Sequence, residues 1–422
     1  MKASIIVSTL FGSAAIAHPG MGKAMEEIKQ IAKRQFQPST EMLGELKTLT
    51  DAQLSTTGKA IKAILLGTGN PIDTTTSYTA PAGGKDAAAC KADRCCVWKY
   101  IANDMRAVML QNGECTNVAR GSIRLGFHDA ATWTKTTPIG QGGADGSIIL
   151  SGTELSRGEN SALVPLGPVY TAWHNTYKSY GVTMADLIQF GAKVAAGSCP
   201  GGPRIRHFVG RVDNPNANAA GLLPSPFANA STILTTFAAK TIGPGGVVAL
   251  LGAHTASRQT VIDPAQVGAP QDSTPGRWDQ NYFSETINPN TPSTIVKFQS
   301  DINIANDAIT SPVWTQFTNN KAAWDTVRDL HDLDRRTELT LCQRPTLLST
   351  FACPSWASTT STVWLSAPRS CPRSSLPSKR GWKSTLCFGL WMKPSLEASR
   401  LTSWGQNRSQ RWSVSKRSGG DG

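Results

Sequence analysis

Residues 122–130 read Ser-Ile-Arg-Leu-Gly-Phe-His-Asp-Ala, and the fold is decided by how this stretch is read. Ile123, Leu125 and Phe127 mix with Arg124 and His128 inside a predicted helix over about 116–131. Arg124 and His128 lie four positions apart, so on a helix they project from the same face. Above a bound ligand such a pair can act as an electrophile and a base. The plainer alternatives are an exposed ion-pair face or a core histidine. Asp129 follows directly, and Gly142-Gly143-Ala144-Asp145-Gly146-Ser147 comes soon after. Glycines between oxygen-bearing side chains either wrap a hard cation or form an ordinary tight turn.

Helical apolar spacing also covers about 97–110, upstream of this stretch, and 184–197 downstream of it. Gly243-Pro244-Gly245-Gly246 precedes a further helix over 247–258, where His254 ends an apolar face with Leu250 one turn before it. Then comes Asp272-Ser273-Thr274-Pro275-Gly276-Arg277-Trp278-Asp279, whose carboxylates and hydroxyls suit Ca2+ or a plain turn. Strand-like alternation is scarce, so the body reads as mainly α.

The chain has 422 residues, enough for one large domain with appendages or for two domains. With 40% hydrophobic and 17% charged residues it is not a disordered chain, a collagen or a coiled coil. Lys2, an apolar run and the small-residue exit at Ala15-Ile16-Ala17 form a signal-peptide layout over 1–17. The run is too short to span a bilayer, so a soluble, exported protein with no membrane partner is expected. Residues 18–89 form an extension with helices at about 22–35 and 50–66, then a Thr/Ser/Gly/Pro-rich linker over 68–84.

The net charge of +13 sits mostly at the C-terminal end, where 341–422 hold 12 Lys and Arg against 2 Asp and Glu. The near-neutral body offers no basic patch interleaved with aromatics, which argues against nucleic acid. The tail carries six of the twelve Trp and shows no helix or strand periodicity. It is either disordered or not the natural reading frame. Nine cysteines in an exported chain point to disulfides, and none has zinc-site spacing.

Together these motifs resemble, in order and local spacing, the secreted fungal (class II) haem peroxidases of the plant-type superfamily, which include lignin and manganese peroxidases. The resemblance covers about 90–325. It includes Cys95-Cys96, Cys115, the Arg124–Asp129 segment, the Gly142–Ser147 loop, Ser198-Cys199-Pro200-Gly201-Gly202-Pro203-Arg204, the stretch from Leu250 to Thr255, and 272–279. It implies a mainly α fold in which distal and proximal helical halves sandwich one haem b, within a domain over 90–340.

By the resemblance, His254 is the proximal iron ligand and Asp301 accepts its other ring N–H, favouring O–O cleavage. His128 is the distal base toward H2O2, neutral near its ordinary pKa of roughly 6.5. Arg124 stabilises charge on the departing oxygen, and Phe127 packs over the haem. Asn160 accepts the remaining N–H of His128, with Glu154 holding the link. Two Ca2+ ions are implied, one on Asp129, Gly143, Asp145 and Ser147. The other is on Thr255, Asp272, Thr274, Arg277 (by its carbonyl) and Asp279. Each ion would then brace one histidine.

Several positions depart from the family. Asn117, Gly121 and Thr260 stand where manganese peroxidases place carboxylates, and Ala249 stands where lignin peroxidases carry their surface tryptophan. A generic, monomeric peroxidase of small phenolic or similar reducing donors is therefore expected. The resemblance also implies the disulfides Cys115–Cys199, Cys90–Cys96 and Cys95–Cys342, with a family cysteine missing near Pro312. Past Trp324 the chain leaves the family pattern, and a frameshifted end explains this best. Two other readings stand beside the enzyme: a non-catalytic secreted protein on the same scaffold with compromised haem binding, and a basic-tail protein that binds polyanions. Asn229-Ala-Ser is a glycosylation sequon.

Overall fold

The chain enters the core through two short helices, Gly44–Thr48 (α1) and Thr56–Leu65 (α2). The expected 50–66 helix starts only at Thr56, because Ser55 caps it by accepting from the Gly58 N–H at 3.0 Å. The structure is a computed structural model that describes residues 41–42, 44–73, 78–138, 140–325 and the backbone of 351–353. The expected leader, the helix at 22–35, Cys342 and most of the tail lie outside the described residues. All described residues belong to one unit, Met1–Ser361.

Next come Ala88–Ala92 (α3) and Cys96–Met109 (α4), joined by the Cys90–Cys96 disulfide. A two-residue hairpin, Leu110–Gln111 (β1) with Glu114–Cys115 (β2), turns the chain into Asn117–Ala130 (α5). Thr116 caps α5 by accepting from the Ala119 N–H at 3.3 Å. After Ser147–Leu150 (α6) and Leu166–Tyr177 (α7), Thr183 caps Met184–Ser198 (α8) in the same way at 3.1 Å. Helix α8 is buried almost all round, with Asp186 paired to Arg211 and Gln189 donating to the Gly126 carbonyl, and packs against both α4 and α5.

His207–Val209 (β3), Ala230–Ala238 (α9) and Pro244–Leu251 (α10) follow. The expected 247–258 helix begins three residues early, since Gly243 takes the cap and Pro244 suits the first turn. Beyond Leu251 it tightens into a 3-10 turn, Gly252–Ala256, which carries His254. Asn281–Ile287 (α11), Gln299–Asn306 (α12) and Ser311–Asn319 (α13) complete this half. One continuous core runs from Trp98 and Met105 of α4 and Leu125 of α5 through α8 to Val248, Phe283 and Trp314.

The chain is mainly α, as expected, and one of its short strands lies in the tail. Phe351–Cys353 (β4) pairs antiparallel with β3, although the tail has no strand alternation; three residues are too few to show a period. A smaller core joins Leu54, Ile61 and Ile64 to Ile205 and Phe208, so the described part of the 18–89 extension is packed on the body. Past α13, residues 321–325 are helical, and Trp324 is fully buried. Its indole stacks on Trp278 at 5.8 Å and donates to the Ala249 carbonyl at 2.9 Å.

Candidate active site

Helix α5 presents Arg124 and His128 on one face, and the intervening turn brings them into contact: Arg124 Nε donates to His128 Nε2 at 3.1 Å. Arg124 also donates from Nη2 to the Glu159 carbonyl at 3.0 Å. The other ring nitrogen of His128, Nδ1, lies 2.7 Å from Asn160 Oδ1. Asn160 in turn donates from Nδ2 to the Glu154 carbonyl at 2.8 Å. With Asn160 anchored as acceptor and Arg124 as donor, His128 carries its proton on Nδ1 and none on Nε2.

Burial, reinforced by the Arg124 charge, pushes the His128 imidazole down to about 3, against a weaker upward pull from Asn160. The expected value near 6.5 is thus replaced by a much lower one. Burial is a tertiary property that helix spacing does not report. Phe127, half-buried, stacks against Phe237 at 6.2 Å.

His254 sits on the 3-10 turn with its Nδ1 2.9 Å from Asp301 Oδ2. The rings of Tyr282 and Phe298 meet it edge-on at 5.6 and 5.8 Å. Its side chain is 30% exposed within this aromatic surround, whereas Asp301 is 1% exposed. Asp301 lies in the first turn of α12, where a carboxylate is favourable. Nδ1 is thus committed to the carboxylate, and among the described residues His254 Nε2 has no hydrogen-bond partner. An imidazole oriented by a carboxylate, with its far nitrogen turned away from that carboxylate, is the donor that an iron porphyrin needs. The residues therefore fit the group.

Two loops flank the histidines. In the first, Gly143 and Gly146 adopt φ of 82° and 76°, a left-handed backbone that other residues resist. This folds Asp129, Asp145 and Ser147 together in the interior. Among the described residues Asp129 Oδ1 is buried with no hydrogen-bond partner, and burial together with Asp145 holds its carboxyl well above the usual carboxylate range. Asn218 Nδ2 lies 3.0 Å from Thr132 Oγ1, 3.1 Å from Asp145 Oδ1 and 2.8 Å from Ser147 Oγ. An amide nitrogen has two hydrogens for these three acceptors. Crowded buried oxygens with an orphaned carboxylate oxygen fit a hard cation.

In the second loop, Thr255 Oγ1 donates to Asp272 Oδ2 at 2.5 Å and Thr274 Oγ1 to Asp279 Oδ1 at 3.1 Å. Burial raises the Asp272 carboxyl to about 7. Arg277 points its side chain to solvent and closes the turn with its N–H on the Thr274 carbonyl at 2.9 Å. The loop is fastened at both edges, by Cys115 N–H to the Gly276 carbonyl at 2.9 Å and Trp278 N–H to the Pro200 carbonyl at 2.8 Å. The Cys115–Cys199 disulfide joins those two anchors. Among the described residues no three His, Cys, Asp or Glu side chains form a metal cluster, so each loop would rely on hydroxyls and carbonyls beside two carboxylates.

The positions that bear on metal and tryptophan chemistry are also settled in space. Asn117 Oδ1 accepts from Arg120 Nη2 at 2.6 Å, and a Cβ on Gly121 would lie 2.9 Å from Leu166 Cδ1. Thr260 is exposed, and Ala249 is fully buried.

Four participants escaped the sequence reading. Gln271 contacts both His254 and Asp301, and Asn218 gathers the first loop. Thr132 receives the Gly143 N–H at 3.1 Å, and Arg157 pairs with Glu154 Oε2 at 3.5 Å. Only the proximity of Gln271 to Asp272 in the chain offered a hint.

A mainly α protein with one histidine held by an amide beside an arginine, and a second held by a carboxylate, fits the class of haem peroxidases. The family model described as Peroxidase matches residues 101–320. The chain is 32% identical over 251 residues to a versatile peroxidase of Pleurotus eryngii, covering 54% of this chain and 66% of that protein. It is 33% identical to ligninase C of Trametes versicolor over 253 residues, covering 54% and 66%. A peroxidase of Arthromyces ramosus is 30% identical over 266 residues, covering 57% and 72%. The matched region thus spans about two thirds of these relatives' length. The chain belongs to the peroxidase family.

Proposed function

We propose that this chain is an exported, monomeric, H2O2-dependent peroxidase that holds one haem b and two Ca2+ and oxidises small phenolic or similar donors in one-electron steps. The observation that carries this reading is the pair of differently held histidines, His128 on Asn160 and His254 on Asp301. Among the described residues no helix is long and apolar enough to cross a membrane.

His254 would bind the iron through Nε2 while Asp301 holds Nδ1. The redox chemistry, two electrons delivered to peroxide and regained singly from donors, is what haem supplies when bound. The chain's own part is proton handling. His128 remains neutral and offers Nε2 to the peroxide proton, while Asn160 keeps the remaining proton on Nδ1. Arg124 occupies that lone pair and has to rotate off it before His128 accepts a proton. The released guanidinium then faces the charge developing on the departing oxygen, to which His128 returns its proton. Asp129 and Thr255, each next to a histidine in the chain, would tie the two ions to the two halves.

The donor reading rests on what surrounds the departing positions. With Arg120 bonded to Asn117 and Leu166 against Gly121, a divalent cation meets a positive charge and no carboxylate at these positions. A tryptophan at 249 would be in the core rather than at the surface, so donors would react near the haem edge. The test is a visible spectrum of purified protein before and after H2O2, with His254→Ala beside it. A Soret band that shifts with peroxide and is lost or displaced in the variant is expected. A folded, colourless protein after haem reconstitution overturns the proposal.

A further inference from the structure

Gln271 occupies a place that the proximal pair does not need for its own geometry. It is 3% exposed, and its Nε2 lies 3.0 Å from Asp301 Oδ2 and 3.3 Å from His254 Nδ1. Its Oε1 lies 2.7 Å from Ser257 Oγ, whose single hydrogen is shared with the His254 carbonyl at 2.7 Å. The amide orientation follows from chemistry. Turned the other way, Oε1 would face the Asp301 carboxylate, and two acceptors 3.0 Å apart repel. Gln271 therefore donates to Asp301 Oδ2, the same oxygen that accepts the His254 N–H.

The second Asp301 oxygen is engaged as well, accepting from Ser300 Oγ at 3.1 Å. A carboxylate whose charge is spread over several donors pulls less on any one of them. The imidazole of His254 then keeps more of its proton and passes less electron density to a metal at Nε2. We infer that Gln271 is a positioning residue that weakens the Asp301–His254 hydrogen bond and thereby raises the reduction potential of the bound iron. The inference rests on the reading of His254 as the iron ligand.

The experiment compares haem-loaded wild type, Gln271→Leu and Gln271→Met by spectroelectrochemistry and by resonance Raman of the ferrous form. Both replacements keep the bulk and delete the donor. With Asp301 free to pull harder, the ferrous state should become roughly tenfold less favoured. For a one-electron couple that is a potential about 59 mV lower. The iron–histidine stretching frequency should rise with it. In an Asp301→Asn background the Gln271 replacements should have little further effect, because the shared acceptor is gone. An unchanged or higher potential in both replacements, or the same shift in the Asp301→Asn background, overturns the inference. The ligand assignment itself is checked separately. If His254→Ala keeps the wild-type iron–histidine band, that assignment fails, whatever Gln271 does.

Discussion

Replacing Asn160 with leucine isolates one hydrogen bond in the proposed proton path. In the resting site His128 is neutral and its Nδ1–H meets Asn160 Oδ1 at 2.7 Å, a bond of about 0.5–1.5 kcal/mol net. When Nε2 takes a proton the same bond becomes charge-assisted, about 1.5–3 kcal/mol. Only the strengthening, about 1–1.5 kcal/mol, lowers the barrier. Asn160→Leu should therefore slow the bimolecular reaction with H2O2 roughly tenfold. His128→Leu removes the base altogether and should slow it by about 10²–10⁴. Stopped-flow recording of the Soret change at varied H2O2 gives both constants. In the His128→Leu background, Asn160→Leu should add nothing, since the two residues act as one unit.

The pH profile provides a second reading of the same variant. With the imidazole held down to about 3 by burial, the wild-type rate should stay level from neutral pH to about 4 and fall only as His128 becomes charged. Asn160 pulls that value up, so its loss should move the fall to lower pH. A rate that drops between pH 7 and 6, or a leucine variant as fast as wild type, refutes the assigned chain of Asn160, His128 and Arg124.

Four further outcomes are expected. Chelating Ca2+ should lower the melting temperature, since an ion at 100 times its Kd contributes about 2.7 kcal/mol, or about 5–10 °C for a domain of this size; scanning calorimetry with and without chelator checks this. Mn2+ should not accelerate turnover, and saturable formation of Mn3+ would refute the reading of Asn117, Gly121 and Thr260. Trp324→Ala deletes the stack on Trp278 and the bond to Ala249, and should cost about 3–5 kcal/mol in urea unfolding. Lys240, buried with Nζ on the Ala131 and Trp133 carbonyls, is pushed down to about 8 by burial. Its folded value is depressed, so the unfolded chain binds the extra proton and stability should rise with pH above about 8. In Lys240→Met that rise should flatten in unfolding titrations between pH 8 and 10.

Local chemistry was legible where it was written at short range. The four-residue spacing of Arg124 and His128 and the glycines of the 142–147 loop need only helix geometry and backbone sterics. Asn218 was invisible because its partners Glu154, Ser147, Asp145 and Thr132 lie 64 to 86 residues away. Gln271 was hidden in the same way, between His254 at 17 residues and Asp301 at 30. The pairing of Phe351–Cys353 with His207–Val209 shows the same limit in a strand. No periodicity within three residues can announce a partner so far up the chain.

The two histidines share a side chain and differ in what holds Nδ1, and that difference is enough to separate the tasks proposed for them. An amide oxygen accepts the His128 N–H without offering a full charge, so burial and Arg124 prevail and the ring stays neutral with no proton on Nε2. A carboxylate accepts the His254 proton and supplies charge, which favours donation from Nε2 to a metal. Exchanging the partners should exchange the tendencies. An aspartate at 160 would draw His128 toward the imidazolium, which cannot accept a proton from peroxide, and an asparagine at 301 would leave His254 a weaker donor. The proposed roles would thus be set by Asn160 and Asp301, held in place by the turn at Glu154 and the first turn of α12.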